Sequence, residues 1–231
     1  MASRTRRLPI GMSPEGAGVT PAPSDERTTM TMTDIETSLE ERRSQRLKAA
    51  TRATHDVLDK TIMAGDIFAS RENFAKFLRV QYRFHRDIDA LYASPELAAL
   101  LPDLTGRRRL PKIAQDLDDL GQSLPAADDA PRVAAGIALP TALGWLYVAE
   151  GSNVGGSILY KLAVQRLGLD GGFGARHLAT HPDGVARHWR EFTGALDEVR
   201  LSPGQEAETI RAAEEAFATV HGYVAQEFAL A

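Results

Sequence analysis

The stretch Ala142-Leu-Gly-Trp-Leu-Tyr-Val-Ala-Glu-Gly-Ser-Asn-Val-Gly-Gly-Ser157 reads as a helix with three glycines, Gly151, Gly155 and Gly156, set inside it. Each interior glycine costs a helix roughly 1 kcal/mol against alanine, through backbone entropy and lost packing. Three within six residues, flanked by Trp145, Tyr147, Ile158, Leu159 and Tyr160, indicate backbone that must approach something flat or bulky. Gly151 and Gly155 are four apart and share a face, which opens a strip without side chains along the helix. Two occupants suit that strip equally: a second helix packed closely, or a ligand laid on the backbone. The decision needs a partner elsewhere in the chain.

The surrounding chain is helical throughout. Residues 39–62 place Leu39, Leu47, Ala50, Val57, Leu58 and Ile62 on a helical period, and 72–93 do the same with Phe74, Phe77, Leu78, Tyr82, Phe84, Ile88 and Leu91. Pro95 and Pro102 frame a short helical turn, and a further helix is expected from about Pro111 to Leu120. The glycine-bearing helix begins near Pro140, a residue suited to a first turn, and ends near Gly168. Two more follow at about 183–199 and 204–228, the last begun by Ser202-Pro203 with Glu206 in its first turn. No stretch alternates as a strand. The expectation is an all-α fold, a single helical domain over 39–231.

Residues 1–38 differ. Pro9, Pro14, Pro21 and Pro23 stand among Gly, Ser, Thr and Arg with almost no apolar periodicity, the composition of a disordered tail. The charged start lacks the apolar core of a secretory signal.

Composition excludes several classes of function. The 231 residues carry 27 basic and 31 acidic side chains, a net charge of −4, which disfavours nucleic-acid binding. There is no cysteine, hence no disulfide, thiol nucleophile or cysteine-ligated cluster. No apolar run approaches the ~20 residues of a membrane span, and a cytoplasmic protein is expected.

Of the six histidines, none is preceded by Glu at the spacing of a Glu-x-x-His di-iron motif. His177 and His181 are four apart, but a break before Pro182 separates them. His85, His188 and His221 read as surface or satisfied core residues. His55 stands out because Lys48 lies two turns upstream on nearly the same face, about 10 Å along the axis. That approximates the distance from a haem iron to its propionates; a neutral imidazole ligates iron, and an ammonium pairs with a carboxylate.

Taken in order, Leu47-Lys-Ala-Ala-Thr-Arg-Ala-Thr-His55, Phe77-Leu-Arg-Val-Gln-Tyr-Arg-Phe-His85 and Gly144-Trp-Leu-Tyr-Val-Ala-Glu-Gly-Ser-Asn-Val-Gly-Gly156 resemble the bacterial biliverdin-producing haem oxygenases from about residue 42 to 228. The resemblance implies haem, both substrate and cofactor, clamped between a proximal helix with His55 as iron ligand and a kinked distal helix. Gly151 and Gly155 would lie over the porphyrin, with Gly156 adding flexibility. Lys48 and Tyr147 match the family's propionate anchors, which implies the α isomer of biliverdin, with CO and ferrous iron released. Ser152 departs from an acid found there in other members, so its hydroxyl with Asn153, or backbone alone, would hold the distal waters.

Dioxygen and electrons are the other reactants. No nicotinamide or flavin fingerprint is present, so a separate ferredoxin or reductase is the implied donor, and a phytochrome is one candidate acceptor of biliverdin. The competing readings are a non-catalytic haem carrier or sensor of the same fold and a helical interaction module. Helical thiamin-degrading enzymes use a cysteine nucleophile, which this chain lacks.

Overall fold

The structure, a computed structural model, describes residues 42–126 and 129–229. The expected tail, 1–38, lies outside them. Among the described residues seven α-helices follow one another: α1 (Arg43–Ala64), α2 (Arg71–Ile88), α3 (Pro95–Leu100), α4 (Leu110–Asp119), α5 (Leu139–Leu162), α6 (Val185–Glu198) and α7 (Pro203–Phe228). Short 3-10 segments lead into α3, α4 and α6. Among the described residues the only β feature is an isolated bridge between Asp170 and Gly174. No described helix is long and apolar enough to cross a membrane.

Local chemistry sets the helix ends. The Ser70 hydroxyl accepts from the Asn73 N–H at α2 and the Ser94 hydroxyl from the Leu97 N–H at α3. Ser202 and Gln205 form a capping box around Pro203 at α7. Pro140 occupies the first turn of α5, where its missing N–H costs nothing. Helical hydrogen bonding then continues unbroken through Gly151, Gly155 and Gly156. The irregularity comes after them, in a π turn over Ala163–Leu167 that Gly168 closes at φ 64°.

The last helix is the spine. α7 packs against α5, α1 and α2, whereas α1 and α5 barely touch each other. Contact between α5 and α7 depends on Gly144, where a Cβ would stand 2.4 Å from the Thr209 carbonyl oxygen and 2.8 Å from the Ala212 Cβ. Thus one glycine of α5 serves helix packing, and Ala212, Ala213 and Ala216 supply the matching small residues. The main core joins Trp145, Phe84, Phe192 and Phe217, and a second cluster gathers Phe74, Phe77, Ile113 and Leu117.

The start of α1 is tied down as well. The buried Arg43 donates to the carbonyls of Leu196 and Val199 and pairs with Glu206 at 2.7 Å. Ser44 donates through both its backbone N–H and its hydroxyl to Asp197. These bonds hold α1 to α6 and α7 and leave its far face uncovered.

Candidate functional site

On that far face stands His55, whose side chain is 53% exposed. Leu47, Thr51 and Leu58 bury the opposite side of α1, which turns Lys48, Arg52, His55 and Asp59 outward. The imidazole edge meets Phe217 of α7 at 5.7 Å between ring centres. Its Nδ1 lies 3.3 Å from the Asp59 carboxylate one turn on. An imidazole set beside a carboxylate keeps its other ring nitrogen accessible. A metal-ligating histidine is typically oriented in this way.

The distal helix changes character halfway along. Residues 142–150 are all buried, while Val154 and Ile158 are 41% and 64% exposed. The three glycines meet different surroundings. At Gly151 a Cβ would touch the Trp189 ring at 3.6 Å, and at Gly156 it would touch Leu178 at 3.5 Å. At Gly155 it would meet nothing within 4 Å. No neighbouring element therefore requires a glycine at 155, and helix packing leaves it unexplained.

The other expected site residues fall as follows. The Ser152 hydroxyl donates back to the Ala149 carbonyl at 2.7 Å, and the Asn153 amide reaches the Glu150 carboxylate at 3.4 Å. Tyr147 is buried with its ring 5.6 Å from Trp189. Burial, and then the charge of Asp197, push its phenol up to about 12. Asp197 also holds Ser44 at the start of α1, one turn before the exposed Lys48. Arg187 pairs with Glu191 on the surface and Arg190 is exposed.

Sequence reasoning missed the group next to the glycines. Glu150 is 2% exposed and accepts from the Tyr92 hydroxyl at 3.0 Å and from Arg107 at 3.0 Å. Arg107, also buried, donates further to the carbonyls of Pro102 and His188. Burial pushes the Glu150 carboxyl up while Arg107 and Arg109 pull it back, and the Tyr92 phenol is held well above its ordinary range by burial and Glu150. One signal was available: Glu150 is the lone charge in the run from Ala142 to Gly151, and a carboxylate inside a buried helix needs a cation.

The histidines were misread in part. His85 is 2% exposed and its Nδ1 has no hydrogen-bond partner, so it is not a satisfied core residue; the same holds for Nε2 of His188. His177 and His181 do not face one metal. The His177 ring turns inward to the buried Asp116, Nδ1 to Oδ2 at 2.8 Å, and His181 stacks on His188 with ring centres 4.4 Å apart. The break before Pro182 separates them. Near His177, burial first and then the positive charge of Arg109 and His177 hold His85 down to about 3.

Two consequences are measurable. Arg107→Met leaves the Glu150 carboxylate buried without its main partner and is expected to cost about 3–5 kcal/mol of unfolding free energy. Adding Glu150→Leu should recover more than half, and a double variant no more stable than the single one would contradict the pairing. Because His85 titrates in the folded chain below its ordinary 6.5, the unfolded chain takes up the proton first as pH falls. Its stabilising contribution is then complete above about 6.5 and lost progressively toward pH 3. The pH dependence of denaturant unfolding between 7 and 4 should be shallower in His85→Leu; an unchanged slope would refute a neutral buried His85.

Comparison with known proteins gives one answer. A family model described as Heme oxygenase matches residues 41–226. Heme oxygenase PigA of Pseudomonas aeruginosa is 42% identical over 175 residues, 76% of this chain and 87% of that protein. A heme oxygenase of Xanthomonas campestris pv. campestris is 30% identical over 161 residues, 68% of this chain and 91% of that one. The crystal structure of NO- and CO-bound heme oxygenase from Neisseria meningitidis matches with a TM-score of 0.77 at 41% identity, covering 82% of this chain and 94% of that chain. Heme oxygenase-1 from the cyanobacterium Synechocystis, solved in complex with heme, shares the fold at a TM-score of 0.66 and 17% identity, over 80% of this chain and 92% of that one. The chain belongs to the haem oxygenase family, whose members bind and degrade haem.

Proposed function

We propose that this protein cleaves haem, with dioxygen and electrons from an external donor, to biliverdin, carbon monoxide and ferrous iron, and that the α isomer is favoured. The observation that carries the reading is the open space over Gly155. Gly155 faces open space on α5, the exposed His55 imidazole stands on α1, and both helices lean on α7 instead of on each other. A flat apolar ligand laid on this face of α5 would meet the exposed Val154 and Ile158. In this reading residues 39–231 form the haem-binding domain and 1–38 its tail.

Each residue then has a defined task. His55 would ligate the iron, with the Asp59 carboxylate beside its ring. Lys48 and Tyr147 take the propionates and so set how the macrocycle is rotated in the cleft, which selects the carbon attacked. Gly151, Gly155 and Gly156 let backbone close over the ring, with Gly156 the point of give. The Ser152 hydroxyl spends its proton on the Ala149 carbonyl, so its oxygen is left to accept from a water, and Asn153 orders the same side through Glu150. Bound haem supplies the dioxygen-activating metal and is itself the molecule consumed. Electrons come from a separate ferredoxin or reductase, and a phytochrome is one acceptor compatible with the product.

The test is turnover. Purified protein loaded with haemin and given a reductant in air is expected to exchange its Soret band for the broad red absorption of biliverdin. His55→Ala should lose the native axial spectrum, and Lys48→Ala with Tyr147→Phe should release a mixture of isomers on chromatography. A Soret band that survives reduction and oxygen would assign a carrier instead, and no Soret band at all would remove the haem reading.

A further inference from the structure

The open space over Gly155 has an edge, and one side chain of α6 forms it. Tyr147, Gly151 and Gly155 are spaced by four, so they make one row along α5, each about 6 Å beyond the last. Trp189 covers the start of that row. Its ring centre lies 5.6 Å from that of Tyr147, and its ring atoms come within 3.6 Å of where a Cβ on Gly151 would stand. One turn further on the cover has ended: a Cβ on Gly155 would meet nothing within 4 Å.

The indole does not by itself require a glycine at 151. A separation of 3.6 Å is ordinary van der Waals contact, so an alanine there would only touch the ring. Gly151 is half-buried and Gly155 exposed. A flat ligand lying on Gly155 and reaching back along the row would therefore meet the indole at Gly151. The ring is also firmly mounted. It stacks on Phe192, itself fully buried, at 5.8 Å with 25° between the planes. Arg107 fixes the backbone just before it by donating to the His188 carbonyl at 3.1 Å. A side chain held by packing on both faces keeps its position when a ligand presses on it.

We propose that Trp189 is a specificity-determining residue for haem cleavage, an end wall that stops the macrocycle along this row and so helps select the carbon attacked. The proposal rests on the haem reading above. A macrocycle shifted toward Tyr147 would overlap the indole, and removing the ring opens that seating. Differences in pocket shape of this kind change the choice between alternatives by about tenfold or more.

The test uses full-length protein loaded with haemin. Proton NMR of its ferric cyanide complex distinguishes haem seatings by their separate methyl resonances, without turnover. In the wild type, cross-relaxation is expected between the Trp189 ring protons and the macrocycle. Trp189→Ala should raise the ratio of minor to major seating about tenfold or more, and turnover should release isomers in the altered proportion. Trp189→Leu, which keeps more of the packing, should act in the same direction, and Trp189→Phe should restore most of the selectivity. Combining Trp189→Ala with Tyr147→Phe separates a wall from a mere brace for the phenol. A wall adds its effect to that of Tyr147→Phe, whereas a brace adds nothing. Absent cross-relaxation, unchanged seating in both truncated variants, or a double variant no different from Tyr147→Phe overturns the proposal and leaves the haem reading standing. No Soret band in the wild type removes both.

Discussion

The buried carboxylate of Glu150 and its bond to Arg107 determine where the glycine face of α5 points. Both side chains are about 1% exposed, and a bare charge at either position would be prohibitive. Arg107 reaches from Glu150 to the carbonyls of Pro102 and His188. One guanidinium thereby ties α5 to the segment before α4 and to α6. On the opposite side Gly144 seats α5 directly on α7. Pinned on two faces before Gly151, the helix has little freedom to roll, and Gly155 is left facing open space.

The same arrangement explains why α1 can serve as a proximal wall. Arg43 and Ser44 anchor its first turn to the α6–α7 corner, and Phe217 meets the edge of His55. The two helices rest on α7 and not on each other.

The helices were legible because periodicity and proline placement are local signals. Ser202-Pro203 and Pro140 fell at first turns as expected, and the α5 helix closed at Gly168. The polar interior was not legible. Glu150, Arg107, Tyr92 and His188 lie far apart in the chain, and nothing local distinguishes Arg107 from Arg108, which pairs with Asp89 at the surface. The burial of His85 and His177 likewise depends on which helix covers them. Glycine meaning was also non-local: Gly144 serves packing, Gly151 lies beside Trp189, and Gly155 faces nothing. Only the fold distinguishes these roles.

We infer that Gly155 is reserved for a ligand and not for the fold. The direct measurement is a haemin titration of Gly155→Leu alongside its thermal unfolding without haem. With no atom within 4 Å of the added Cβ and a better helix former in place, the haem-free variant should unfold at the wild-type temperature or higher, by up to about 1 kcal/mol. Its haem binding should be lost or weakened by orders of magnitude. Unchanged haem affinity in a stably folded variant would contradict the claim, as would a haem-free protein that no longer folds.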